Sequence, residues 1–183
     1  MEWKFYTDLN EREKRKIVEL KTRVWPPKDK SVEDVWRIFP HLHIDPNTSH
    51  QDRRFLLIWS GKDLIGHAEV FPRTINTEEG PQVVIALAGL CVHPDFQGNG
   101  IGKELSEEVF RFSKEDAECT CLFQTEIPEF YEKLGSRKID NKFTNSMDIF
   151  DQKYRDFWDP NVMIHPAEAK WTRGEIDLNG VSY

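Results

Sequence analysis

The chain has 183 residues, of which 38% are hydrophobic and 31% charged, and its 25 Lys and Arg against 32 Asp and Glu give a formal charge of −7. That length suits one domain around one core, here expected over residues 1–183. The acidic, interspersed charge excludes a general electrostatic grip on nucleic acid or an anionic membrane and suits a cationic partner better. The longest apolar run, Val83–Val92, is ten residues, about half of what a membrane-spanning helix needs. The start, Met1-Glu2-Trp3-Lys4-Phe5, lacks the basic and apolar stretches of a secretory signal. Cys91, Cys119 and Cys121 are odd in number and form no C-x-x-C pair, so they indicate neither a disulfide framework nor a zinc knuckle. A reduced, cytoplasmic protein is expected.

In chain order, Thr7, Asp8 and Asn10 offer N-caps to a helix with Ile17, Leu20 and Val24 on one face, stopped by Pro26-Pro27. Ser31 caps a second helix to about Phe39, and His41–Asp52 reads as a polar loop. Phe55–Trp59, the turn Ser60-Gly61-Lys62-Asp63 and Leu64–Phe71 predict a hairpin, which Val83–Val92 continues. This last strand is apolar at nearly every position, the pattern of a central strand buried on both faces. Gly98–Gly102 leads into a helix carrying Ile101, Leu105, Val109 and Phe112 on one face. Cys119–Gln124 predicts a strand, Pro128 opens a helix that Gly135 closes, and Lys142–Phe150 predicts a further strand. Val162–Ile164 is a candidate strand in a tail that Trp158, Trp171 and Tyr183 suggest is packed.

The informative segment runs from Leu87 to Lys103: an apolar strand, a proline exit, a glycine-rich turn and a helix. Glycines let successive amides turn toward one point, and a helix N-terminus adds N–H groups and partial positive charge, which together make a phosphate cradle. A Walker A loop needs Gly at 97 and Ser or Thr at 104, where this chain has Gln97 and Glu104. A dinucleotide fingerprint from Gly98 and Gly100 needs Gly or Ala at 103, where it has Lys103.

What remains, Gln97-x-x-Gly100-x-Gly102 with Val92-x-Pro94 upstream, resembles the acetyl-CoA pyrophosphate loop of the GNAT N-acyltransferase superfamily. Phe130-Tyr131-Glu132-Lys133-Leu134-Gly135, one strand later, is similar to that family's F-Y-x-x-x-G segment. The resemblance covers about Phe55 to Phe150. It implies an α/β fold with a mixed central sheet flanked by helices, in which the parallel strands Val83–Val92 and Cys119–Gln124 splay apart to admit the pantetheine arm. It further implies acetyl-CoA as cosubstrate, held without metal by Leu90, Cys91, Val92, Gln97, Gly98, Asn99, Gly100, Ile101, Gly102 and Lys103. The N–H at Leu90 would face the thioester carbonyl, where one oxyanion donor is worth roughly 3–4 kcal/mol, and Val92 would pair with pantetheine. Tyr131 matches the family's general acid, which protonates the departing thiolate; a packing tyrosine is the alternative.

The base departs from the family pattern, because Ala86 and Ala88 stand where some members carry an acid or histidine. Glu69 is the first candidate, with Glu126, Glu175, Asp177 or a water relay as alternatives. His41-Leu42-His43 invites a metal reading, but the barrels that use such pairs run to about 250 residues, so a substrate-facing loop is expected instead. His93 reads as a loop residue, His67 as a strand residue of either face, and Cys91 as a small core residue. The chain is thus read as a monomeric or homodimeric acetyltransferase acting on a small-molecule primary amine, with a small cationic acceptor favoured over a protein N-terminus or lysine. A non-catalytic acyl-CoA-binding module is the other class. The acids and aromatics of the tail are expected to shape the acceptor site.

Overall fold

In the computed structural model of the chain, residues 1–42, 52–117, 119–146 and 161–180 are described. Their order is β1 (Glu2–Phe5), α1 (Glu11–Val24), α2 (Val32–Leu42), β2 (Arg54–Ser60), β3 (Asp63–Thr77), β4 (Gly80–Val92), α3 (Ile101–Arg111), β5 (Cys121–Gln124), α4 (Pro128–Glu132), β6 (Arg137–Lys138), β7 (Lys142–Thr144), β8 (Val162–His165) and β9 (Glu175–Asp177). The nine strands among these residues form a mixed sheet flanked by helices, as the resemblance implies. Contacts divide the chain into two units, Met1–Val70 with Ala88–Val109 and Phe71–Leu87 with Phe110–Tyr183.

In the first unit the strands run in the order β1-β2-β3-β4. β1 and β2 pair antiparallel from Glu2↔Leu57 to Phe5↔Arg54, and β2 and β3 from Arg54↔Val70 to Ser60↔Asp63. The turn between them needs a left-handed residue, which Gly61 supplies at φ +60. α1 begins where Asn10 accepts from the Glu13 N–H and Glu13 returns to the Asn10 N–H, both at 3.0 Å, a reciprocal cap. It lays Ile17, Val18 and Leu20 against Phe55, Leu57, Leu64 and Cys91. Ser31 caps α2 with Asp34. α3 sits close on β3 because Gly66 has no side chain: a Cβ there would lie 3.1 Å from Ile101 and 3.2 Å from Leu105.

In the second unit the order is β3-β4-β5-β8-β6, with β9 pairing both β3 and β7. β5 joins β4 in parallel at Ile85↔Cys121 and Ala86↔Leu122 and β8 antiparallel from Cys121↔His165 to Gln124↔Val162. Ile75, Val84, Leu122, Phe143, Ile164, Ile176 and Leu178 form its core, with Trp171 packed on it. β4 is central, and Val84 to Leu87 are consecutively buried, but Val83 is 50% exposed, so the two-sided burial begins one residue later than the apolar run.

Two expectations change here. β3 does not stop at Phe71 but continues through Thr77, alternating Arg73 and Ile75 inward with Pro72, Thr74 and Asn76 outward. A buried arginine at an inward position, donating to the Leu178 carbonyl at 3.4 Å, hides that alternation from hydropathy. The strand read as Lys142–Phe150 is β7, Lys142–Thr144, and residues 147–150 lie outside the described residues, as do residues 43–51 of the polar loop, Trp158, Asp159 and Tyr183. Among the described residues no helix is long and apolar enough to cross a membrane.

Candidate active site

β4 delivers Leu90, Cys91 and Val92 at its end. Ala88, Gly89 and Leu90 are half-buried between the buried runs on either side, so this is where the strand opens to solvent. They also lie beyond the last β4–β5 pair, Ala86↔Leu122. Gly89 takes φ +57, a left-handed residue in mid-strand of the kind that bulged strands use. A Cβ there would meet Lys21 Nζ at 3.1 Å and His67 Cε1 at 3.5 Å, so the close approach also requires glycine.

After β4 the chain makes a 3₁₀ turn at Pro94–Phe96 and passes through the exposed residues Gln97 to Gly100 into α3. Gln97 donates to the Val92 carbonyl at 3.1 Å, tying loop to strand. Asn99 donates to the Phe96 and Gln97 carbonyls. Gly98 and Gly100 take φ +79 and +87, and no atom lies within 4 Å of where their Cβ atoms would be. Gly100 occupies the N-cap position, its carbonyl accepting from the Glu104 N–H at 3.0 Å. The N–H groups of Ile101, Gly102 and Lys103 in the first helical turn have no partner within the helix. Side chains thus hold the loop carbonyls, while open space and helix-terminal amides remain for an anion. The residues fit a pyrophosphate.

Tyr131 stands on α4 in the second unit, 5% exposed, its ring 4.7 Å from Phe123 and 4.9 Å from Phe130. Pro128 is the first residue of α4, and Gly135 ends the turn at φ +82. His165 stacks on Phe110 at 3.9 Å, and burial lowers its pKa despite the neighbouring Glu168.

Glu69 is not displayed for proton abstraction. It is 2% exposed and ion-paired with Arg53, itself buried, so its place is that of an internal charge held by a guanidinium. The tail acids are also committed: Glu175 to Lys142 at 2.7 Å, and Asp177 to the Ser146 N–H and hydroxyl and the Asn179 N–H. Glu126 is exposed after β5. Burial pushes the Cys91 thiol up to about 12, against the opposing charge of Lys21, and raises that of Cys121, so both suit packing rather than nucleophilic attack.

The strand, the loop and the helix start fall inside residues 51–135, which match the family model for the acetyltransferase (GNAT) domain. Residues 51–135 are a GNAT acetyltransferase domain. Solved structures agree on the fold. A GNAT family acetyltransferase from Brucella melitensis, in complex with acetyl-CoA, aligns with a TM-score of 0.61 at 14% identity over 96% of this chain and 94% of its own. An acyl-CoA N-acyltransferase from Pseudomonas aeruginosa gives 0.57 at 16% identity over 89% and 94%. An aminoglycoside acetyltransferase from an uncultured soil metagenomic sample gives 0.53 at 16% over 73% and 82%. No curated protein matches the chain. The expectation of a GNAT-type acetyltransferase is met.

His67, Lys21 and Gly89 are the residues around this GNAT strand that sequence reasoning left without a role. The available signal was period two: His67 and Glu69 share a face of β3, so a face assigned to one applies to the other.

Proposed function

We propose that this GNAT domain binds acetyl-CoA, with its pyrophosphate on the amides of Gly98 to Lys103 and its pantetheine along Leu90 to Val92, and passes the acetyl group directly to a primary amine. The observation that carries this reading is the open glycine loop capping α3. The attacking amine adds to the thioester carbonyl, and the oxygen gathers negative charge where the Leu90 N–H would donate. Collapse breaks the carbon–sulfur bond, and the Tyr131 hydroxyl protonates the departing thiolate. Since Glu69 is paired with Arg53, an ammonium acceptor loses its first proton to water or to Glu126, or the amine arrives neutral. The proton that the nitrogen sheds on becoming an amide leaves by water, which returns one to Tyr131. No metal takes part.

For the acceptor we favour a small cationic amine in a reduced, cytoplasmic setting, whether the enzyme is a monomer or a homodimer. The formal charge of −7 and an odd number of cysteines with no C-x-x-C pair support this, and an aminoglycoside acetyltransferase shares the fold. The test is a panel of polyamines, aminoglycosides, peptide N-termini and lysine peptides, assayed with acetyl-CoA by thiol release. Turnover of the small amines is expected; turnover of peptides alone moves the acceptor to protein, and coenzyme A binding without any turnover makes the domain a sensor.

A further inference from the structure

We propose that His67 is a positioning residue for the acetyl transfer, acting through one peptide group of β4. Its ring is 0% exposed, packed 5.7 Å from the Phe55 ring, and its Nδ1 lies 2.8 Å from the Gly89 carbonyl oxygen. A carbonyl only accepts, so Nδ1 carries the hydrogen and donates it. The Gly89 carbonyl and the Leu90 N–H belong to the same peptide, which is planar and trans, so they point in opposite directions. Holding the carbonyl therefore aims the N–H. This matters because Gly89 is at φ +57 and has no side chain of its own to restrain its peptide. The inference rests on the reading of the Leu90 N–H as the oxyanion donor: His67 touches no substrate, but it fixes the direction of the group that does.

His67→Phe keeps a ring and removes the donor. Misaimed catalytic groups cost up to about 100-fold in rate, so kcat should fall by roughly 10–100-fold while acetyl-CoA affinity and its KM hold. His67→Asn returns an N–H near the Nδ1 position and should recover most of kcat. The second readout is the infrared carbonyl band of bound acetyl-CoA labelled with carbon-13 in the acetyl group. In the wild type it should shift to lower frequency on binding, in His67→Phe the shift should shrink, and in His67→Asn it should return. If the wild type shows no shift, the Leu90 reading fails and takes this proposal with it. A wild-type shift that His67→Phe retains, or a kcat loss that His67→Asn does not repair, overturns the role of His67 and leaves Leu90 standing. Nitrogen-15 spectra of the wild-type imidazole test the hydrogen bond without any substitution: an Nδ1 without hydrogen overturns it.

Discussion

The glycine loop after β4 and the strand β9 in the tail both carry polar groups, yet they use them in opposite ways. In the loop, Gln97 and Asn99 turn their amides onto nearby carbonyls, and the glycines leave space empty above the amides of the helix start. Along β9, Glu175 and Asp177 are taken up by Lys142, Ser146, Asn76 and Asn179, all within the second unit. The contrast teaches that charge in a sequence is a poor guide to a binding site, because an acid that already has partners gains little from a ligand. Unoccupied backbone donors are a better guide.

The strongest way to break the comparison is to fill the loop. Gly100→Asp should abolish coenzyme A binding by calorimetry, because a carboxylate then occupies the N-cap and repels phosphate. The left-handed backbone costs about 1–2 kcal/mol and a carboxylate cap returns only a few tenths of a kcal/mol over glycine, so the fold should survive with a modestly lower Tm. Unchanged affinity would remove the cradle.

Next in size is Tyr131→Phe, which keeps the ring against Phe123 and deletes the hydroxyl. Turnover should fall by roughly 10²–10⁴ with coenzyme A affinity intact. Equal turnover, with chemistry rate-limiting, returns Tyr131 to packing.

Glu69→Gln sharpens the distinction between a base and an internal charge. Leaving the buried Arg53 guanidinium without its carboxylate should cost about 3–5 kcal/mol of stability, read by chemical denaturation. A full-stability variant that loses the acid limb of its kcat–pH profile would instead restore Glu69 as the base.

The smallest effects belong to β9. Glu175→Gln should leave acceptor KM unchanged and lower Tm only slightly. Burial alone would raise the Asp177 pKa, but the donors from Ser146, Asn179 and Asn76 outweigh it and hold the carboxyl below its ordinary 3.8. Because the folded value is depressed, this contribution to stability is present above the unfolded pKa and is lost as pH falls through the lower folded one. Asp177→Asn should therefore flatten the acid side of the stability profile below about pH 4. A raised acceptor KM in either variant would reverse the contrast and make β9 part of the acceptor site.

Local chemistry in the chain determined the caps, the turns and the glycine loop before α3. Asn10 with Glu13, Gly61, Pro128 and Gly135 act on neighbours a few residues away, so caps and turns could be read directly from their spacing. The same holds for the loop from Gln97 to Gly102, whose glycines act through the backbone they themselves form. Tertiary structure alone decided which polar side chains are available. Glu69 is tied up by Arg53 just before β2, sixteen residues earlier, Asp177 by Ser146 thirty-one residues earlier, and the Gly89 carbonyl by His67 twenty-two residues earlier. Arg73 sits at an inward position that hydropathy would give to an apolar residue, and so concealed half of β3. The physical reason is common to all four: an ionic or hydrogen-bonding partner distant in sequence changes what a polar residue does without leaving any trace in its own local pattern.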